Sequence, residues 1–168
     1  ADGVHVHPLL SMHYIEHRLL AGVAAGAARA GRDAAEIQLT IPVFAAPGDT
    51  PEQREALVSR ARNQIAFYGS TPNYAFQFDD LGFEGTTPRL GALIRQGKFE
   101  EMAASITDEM LDQYAVVCRW DELADRLIER YSGTASRLVM YLAEESIRRD
   151  PTAAAKWGEV ARAVRAAE

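Results

Sequence analysis

The sequence contains one cysteine, Cys118, among 168 residues, and it lacks the marks of several common classes of protein. A single thiol cannot form an internal disulfide, which is typical of proteins that work in a reducing, cytoplasmic setting. No apolar run approaches the ~20 residues that a membrane-spanning helix requires. Lys and Arg total 18 against 24 Asp and Glu. This balance argues against a nucleic-acid surface, because phosphate binding needs clustered basic side chains.

The common short motifs of catalysis are also absent. There is no GxGxxG and no GxxxxGKS/T, and Ser70 lies in "YGSTP" rather than in the GxSxG turn of a serine hydrolase. Cys118 follows the apolar run "YAVV", and we interpret it as a buried structural thiol rather than a nucleophile. The carboxylates of "DEM" and "AEES" are typical of helix caps and solvated surface. No short motif decides the chemistry.

What the sequence does have is the pattern of one α/β domain. Hydrophobic residues make up 48% and charged residues 25% of the chain, as in a soluble globular domain with a real core. Apolar, β-branched runs predict three strands, at residues 3–7, 37–46 and 136–143. Helical patterns alternate with them, which indicates parallel strands joined by right-handed crossovers. Roughly 90 residues separate the second and third strands, far more than an ordinary crossover needs.

That long segment is predicted to be helical. The stretch "PGDTPEQ" contains a capping box and a proline at the first helical position, which predicts a helix over residues 51–68. Gly69 is predicted to end this helix in the left-handed conformation. Thr71 and Pro72 follow as the start of another helix, so "FYGSTPNY" is predicted to be a helix–helix corner. Further short helices are predicted as far as Val117.

All four histidines fall near the beginning of the chain. His5 and His7 share one face of the first predicted strand, and His13 and His17 share one face of a predicted helix. Imidazoles at such spacings can bind zinc, and an HxH strand that opens an α/β barrel is also typical of amidohydrolase metal sites. The alternative is that the strand pair lines a pocket and the helix pair lies on the surface. No acidic ligand with matching spacing is present, and we assign no metal ligand.

Five stretches in a fixed order stand out: "ADGVHVHPL", "AGRDAAEIQLTIPVFAAPGDTPEQ", "RNQIAFYGSTPNY", "DEMLDQYAVV" and "DELADRLIERYSG". Together they resemble the luciferase-like monooxygenase family, and within it the branch of oxidoreductases that depend on the deazaflavin coenzyme F-420. The resemblance covers nearly the whole chain. No single stretch is diagnostic, and the order and spacing of the five carry it.

The resemblance implies a partial TIM-type (β/α)₈ barrel with a large helical insertion. The three predicted strands would be the last three of the eight, and residues 51–117 would be the insertion within a single domain, 1–168. Five strands and a glycine-bearing phosphate loop would precede this segment, so we expect a carboxyl-terminal half of a longer enzyme. Three strands cannot close such a barrel and would leave unpaired edges. We therefore expect a homo-oligomer or a complementary amino-terminal half as partner.

The resemblance also implies hydride transfer between a bound ring and a small organic substrate. Coenzyme F-420 is the expected cofactor of the longer parent and FMN is the alternative, with weak or no binding and little activity by this part alone. His7, nearest the barrel mouth, is the expected catalytic residue, through ring contact or proton transfer. His5, Ser11, Phe44 and Tyr68 are the expected cofactor-binding residues, with Ser11 at a helix start where N–H groups can face a phosphate.

Two alternatives remain open. Tyr68, Tyr74 and Phe76 at the predicted corner are consistent with simple packing as well as with the wall of a ligand pocket. The whole chain is also consistent with a non-enzymatic interaction domain, derived from the same fold, whose sheet surface is buried in an oligomer.

Overall fold

The sheet is built around one long central strand. The computed structural model describes residues 1–167 and contains four strands, β1 (Gly3–His5), β2 (Gln38–Pro47), β3 (Ala115–Cys118) and β4 (Arg137–Met140). β1, β3 and β4 each pair with β2, and all three pairings are parallel. The α/β class and the parallel sheet expected from the sequence are thereby confirmed.

Other strands pair with both edges of β2. The N–H of Gln38 donates to the carbonyl of Asp2 next to β1, and the N–H of Gly48 donates to the carbonyl of Cys118 in β3. In β2, the N–H and carbonyl groups of even-numbered residues point to one edge of the strand. β1 and β3 therefore lie one after the other along that edge. The N–H and carbonyl groups of odd-numbered residues point to the other edge. There the carbonyl of Val43 accepts from the N–H of Tyr141, which follows β4.

One helical segment follows β1. It consists of α1 (Met12–Tyr14), a π-helical turn over Ile15–Leu19, and α2 (Leu20–Arg29). The hydroxyl of Ser11 accepts from the N–H of Tyr14, so Ser11 is the N-cap of α1 and lies at the helix start that the sequence predicts. Gly31 follows with φ of 63°, a left-handed conformation that closes the helix at low cost.

A group of helices lies between β2 and β3. They are α3 (Pro51–Gly69), α4 (Ala75–Asp79), α5 (Thr86–Arg95), α6 (Phe99–Ala104) and α7 (Asp108–Tyr114). The side chains of Thr50 and Gln53 form the predicted capping box at the start of α3. A single 3₁₀ turn, Pro72–Tyr74, connects α3 to α4. Three further helices follow β3, namely α8 (Leu123–Tyr131), α9 (Ala143–Arg149) and α10 (Ala153–Ala166).

The strand prediction was wrong in three places. The first strand was predicted to end at residue 7, and β1 ends at His5. Residues 115–117 were predicted to be helical, and they form β3 because Ala115 and Val116 are buried against the second half of β2. The last predicted strand ends at Met140 instead of residue 143, because the chain turns there into α9. The proposal that residues 51–117 are an insertion in a larger barrel stays a prediction.

The predicted role of Gly69 was also wrong. Gly69 is the last residue of α3 and does not have a positive φ. A Cβ atom at this position would lie 2.5 Å from the ring of Phe78 and 3.2 Å from Leu90. Glycine is therefore required because α4 and α5 pack directly against the end of α3.

The two faces of the sheet have different surroundings. On one face, Leu39, Ile41 and Val43 are buried in a core with residues of α8 and α10. On the other face, Phe44 and Ala46 in the second half of β2 are buried against the helices that precede β3. Burial of each of the larger apolar side chains, such as Ile41 and Phe44, stabilises the fold by roughly 1.5–3 kcal/mol.

The sheet face that contains Phe44 is poorly covered by other side chains around the first half of β2. His5 and Arg137 pair with Thr40 from opposite edges, and both are exposed. Val139, which pairs with Pro42, is 40% exposed. We call His5, Thr40, Arg137 and Val139 the open sheet face, since none of them is buried by the residues that the structure describes.

Candidate functional site

An aromatic cluster lies beside the carboxyl ends of β1, β2 and β4. We call it the His7 cluster, and its members are His7, Phe44, Tyr68, Tyr74 and Tyr141. The ring of His7 stacks on Tyr74, with centroids 4.8 Å apart and an angle of 24° between the planes. It meets the ring of Tyr68 edge-on at 4.6 Å and 80°. His7 is thus held between two tyrosines.

The helix–helix corner accounts for this arrangement. Tyr68 belongs to the last turn of α3, and Tyr74 belongs to the 3₁₀ turn that follows. The break at residues 69–71 changes the direction of the chain, so that the two rings approach His7 from different sides. Tyr68 and Tyr74, proposed from the sequence as a pocket wall, are therefore brought together. Phe76 lies elsewhere, against Tyr14 with ring centroids 5.0 Å apart.

The hydrogen bonding of His7 defines its tautomer. Nδ1 lies 3.1 Å from the N–H of Leu9 and accepts a hydrogen bond from it. In the neutral ring the proton must then reside on Nε2. Burial lowers the pKa of His7 below its usual value, which favours this neutral form. The site therefore contains a neutral imidazole that presents an Nε2–H donor.

Two further side chains extend the cluster towards β2. The hydroxyls of Tyr68 and Tyr141 lie 2.8 Å apart. The Tyr141 ring meets Phe44 edge-on, with centroids 5.0 Å apart. Phe44 is fully buried, whereas Tyr141 is 39% exposed and gives the cluster its open side. The hydrogen bond to Tyr141, together with burial, raises the pKa of Tyr68 to about 12, so the Tyr68 phenol is neutral at physiological pH.

Tyr141 was missed by the sequence reasoning, which placed it inside a strand. The sequence feature that could have identified Tyr141 is its position directly after the run "RLVM". In a parallel sheet, the residue that follows a strand lies at the same edge as the ends of the neighbouring strands.

Ser11 lies apart from the cluster. It is 1% exposed, its hydroxyl caps α1, and its N–H donates to Oε1 of Gln77 at 3.3 Å. Gln77 is also buried, and its Nε2 has no hydrogen-bond partner among residues 1–167. Since both polar groups of Ser11 are engaged within the chain, its predicted contact with a phosphate stays a prediction.

The other histidines do not join His7. His5 lies on the open sheet face. His13 and His17 stack on one another with centroids 4.4 Å apart, and Nδ1 of His17 lies 2.9 Å from the carbonyl of His13. Within residues 1–167, no three side chains of His, Cys, Asp or Glu come together as a metal ion would require. Nothing in this part of the chain favours the amidohydrolase-like alternative.

Cys118 is a structural residue in this fold. It is 5% exposed at the end of β3, and burial raises the pKa of its thiol to about 11. A thiol with so high a pKa is almost entirely protonated at neutral pH and is a poor nucleophile. The sequence-based interpretation of Cys118 as a buried structural thiol is confirmed.

The family model of the luciferase-like monooxygenases matches residues 1–137. The chain therefore belongs to this family, and the resemblance noted in the sequence is confirmed at that level.

Two similar proteins come from mycobacteria. They are the uncharacterized protein Rv1360 of Mycobacterium tuberculosis (strain ATCC 25618 / H37Rv) and the uncharacterized protein Mb1395 of Mycobacterium bovis. Each is 35% identical over 139 residues, a match that covers 83% of this chain and 41% of the relative. The chain thus spans less than half the length of these relatives. Within the described residues, no helix has both the length and the apolar character to cross a bilayer.

Proposed function

We propose that this chain is the carboxyl-terminal part of an oxidoreductase that transfers a hydride between a deazaflavin or flavin and a small organic substrate. Family membership supports the reaction class. The position of the His7 cluster supports the site, because enzymes built on parallel strands bind ligands at the carboxyl ends of those strands. The open sheet face would then line the interior of a barrel whose remaining strands lie outside this chain.

The side chains of the cluster fit a planar ring better than any other part of such a cofactor. His7, Tyr68 and Tyr141 offer aromatic edges and faces together with polar hydrogens, as expected for one wall of a ring site. None of the five residues carries a fixed positive charge. The phosphate groups of the cofactor would therefore be bound by other residues, and the cluster would hold only the ring.

Within this proposal, His7 contacts the ring and does not act as a base. Its Nδ1 already accepts from Leu9, and its Nε2 carries a proton. The Nε2–H can donate to a ring carbonyl or to an oxygen on which negative charge develops during hydride transfer. The two neighbouring tyrosines fix the imidazole plane, so the donor is oriented before a ligand binds.

The cofactor supplies the carbon that accepts or gives up the hydride. The motif resemblance favours coenzyme F-420, with FMN as the alternative. The chain's part is to orient the ring and to exclude water from it, which the buried Phe44 and the packed tyrosines at the strand ends support.

Titration of the protein from its complete reading frame with coenzyme F-420, and separately with FMN, tests this proposal. Ring absorbance is followed on binding and then after addition of candidate substrates. We expect a saturable change with coenzyme F-420 and a weaker one with FMN. Absence of a change with either ring would rule the proposal out.

A second candidate function is a non-enzymatic interaction domain in which another copy of the chain covers the open sheet face. The 40% exposure of Val139 in the middle of a strand favours it, because exposed apolar side chains on a sheet favour association. Light scattering separates the two candidates, since a stable monomer of this chain would argue against the interaction domain.

A further inference from the structure

The sheet lacks cover on one face and on two of its edges. All three strand pairings are parallel, and sheets of parallel strands are almost always covered on both faces. One face is covered by α8 and α10, but on the open sheet face His5, Arg137 and Val139 are exposed. Within residues 1–167, β1 and β4 each pair only with β2, so each has an outer edge with no strand beside it.

A row of three polar side chains crosses the open sheet face. His5 pairs with Thr40, and Thr40 pairs with Arg137 on its other side. Paired residues of neighbouring strands point to the same face, so these three side chains lie next to one another. β1, β2 and β4 contain no Asp or Glu. No carboxylate of residues 1–167 forms an ion pair with Arg137.

The charge of Arg137 restricts what can cover this face. An arginine stays protonated at every physiological pH, so any partner that covers the face buries a positive charge. A buried guanidinium without a counter-ion is strongly destabilising, whereas a carboxylate can accept two hydrogen bonds from it. A second copy of this chain fits poorly, because its own open sheet face presents the same arginine and no carboxylate.

We propose that the open sheet face is covered by parallel strands from the part of the longer protein outside this chain, and that one of them presents an Asp or Glu carboxylate to Arg137. The matched segment is 41% of each mycobacterial relative, so more than half of their length remains to supply such strands. The strands add to the outer edges of β1 and β4. The inference rests on the barrel of the proposed function, but the ion pair lies beside His5, not in the His7 cluster.

Thermal unfolding of the protein from its complete reading frame tests the ion pair. Arg137→Met removes the charge and keeps a long side chain, which leaves the partner carboxylate buried without a counter-ion. We expect the unfolding midpoint to fall by about 5 °C or more near pH 7.5. The loss should shrink towards about pH 5.5, because the buried carboxylate has a raised pKa and takes up a proton in the folded state. His5 is present in both proteins, so comparing them at each pH separates its titration from that of the carboxylate.

Two further measurements accompany the comparison. Arg29→Met removes an exposed guanidinium from α2 and should leave the midpoint unchanged at both pH values. A crystal structure of the wild-type complete protein needs no variant, and it should show an Asp or Glu from outside this chain within about 4 Å of the Arg137 guanidinium.

Three results would overturn the proposal: an unchanged midpoint in Arg137→Met at both pH values, a solvent-exposed Arg137 in the complete protein, or a second copy on the open sheet face. Cofactor titration of the complete protein keeps this inference separate from the proposed function. If the protein binds the ring but Arg137→Met is neutral, only the ion pair is wrong. If Arg137→Met is unstable but no ring binds, only the proposed reaction is wrong.

Discussion

The hydroxyl of Tyr68 lies 2.8 Å from the hydroxyl of Tyr141, although 73 positions separate the two residues in the sequence. Tyr68 ends the long helix α3, and Tyr141 follows the last strand of the sheet. The bond therefore connects the helical region to the carboxyl edge of the sheet. It also sets the orientation of the Tyr68 ring, which packs edge-on against His7.

A double-mutant cycle should detect this connection. Tyr68→Phe and Tyr141→Phe each remove one hydroxyl and leave the rings in place. We expect a coupling free energy of about 0.5 kcal/mol, at the low end for a hydrogen bond because both rings are partly exposed. Urea unfolding of the wild type, the two single variants and the double variant measures it, and strictly additive effects would show that the bond does not stabilise the fold.

The same bond has a consequence at alkaline pH. The pKa of Tyr68 is raised to about 12, so the folded state retains this proton more strongly than the unfolded chain, in which tyrosine titrates near 10. Its contribution to stability is fully present below about pH 10 and is lost as the pH rises towards 12. A pH titration followed by phenolate absorbance should show one tyrosine fewer with a raised pKa in Tyr68→Phe than in the wild type. Unchanged titration curves would contradict the assignment.

His7 should make the fold sensitive to acid. Burial lowers its pKa, so the unfolded chain takes up the proton more readily than the folded chain as the pH falls below about 6.5. The contribution of neutral His7 is therefore present above that value and is lost at lower pH. In His7→Asn, the amide oxygen can still accept from Leu9, but nothing titrates. Urea unfolding between about pH 5 and 7.5 should show a shallower pH dependence for this variant than for the wild type.

Gly69 provides a test of the packing at the corner. A Cβ at this position would lie 2.5 Å from the Phe78 ring, so Gly69→Ala should destabilise the fold by about 1–3 kcal/mol. Gly22 in α2 has no atom within 4 Å of such a Cβ, and Gly22→Ala should stabilise the helix by about 0.5–1 kcal/mol. Thermal or urea unfolding compares the two variants. A neutral Gly69→Ala would mean that α4 can move away from α3 at little cost.

The elements with strong local signals were predicted correctly. The apolar run at residues 37–46 agrees with β2 to within one residue at each end, because a strand buried on both faces needs apolar side chains throughout. The capping box at Thr50 was also predicted, since its hydrogen bonds lie within a few residues of sequence.

The features that were missed depend on contacts far along the chain. β3 has only four residues and directly follows α7, so its strand character comes from pairing with β2 rather than from its own pattern. The need for glycine at position 69 comes from Phe78, and no sequence periodicity encodes that contact. For the candidate site, His7, Tyr68 and Tyr74 were proposed from the sequence, whereas Tyr141 was not, because its place depends on where β4 ends.

The central claim is that the His7 cluster holds the ring of a cofactor. The most direct measurement compares the dissociation constant of coenzyme F-420 for the protein from the complete reading frame with that for two variants, His7→Ala and His17→Ala, using ring fluorescence. If the claim holds, His7→Ala weakens binding at least about tenfold, equivalent to roughly 1.4 kcal/mol, and His17→Ala leaves it unchanged. Wild-type affinity in a folded His7→Ala protein would contradict the claim.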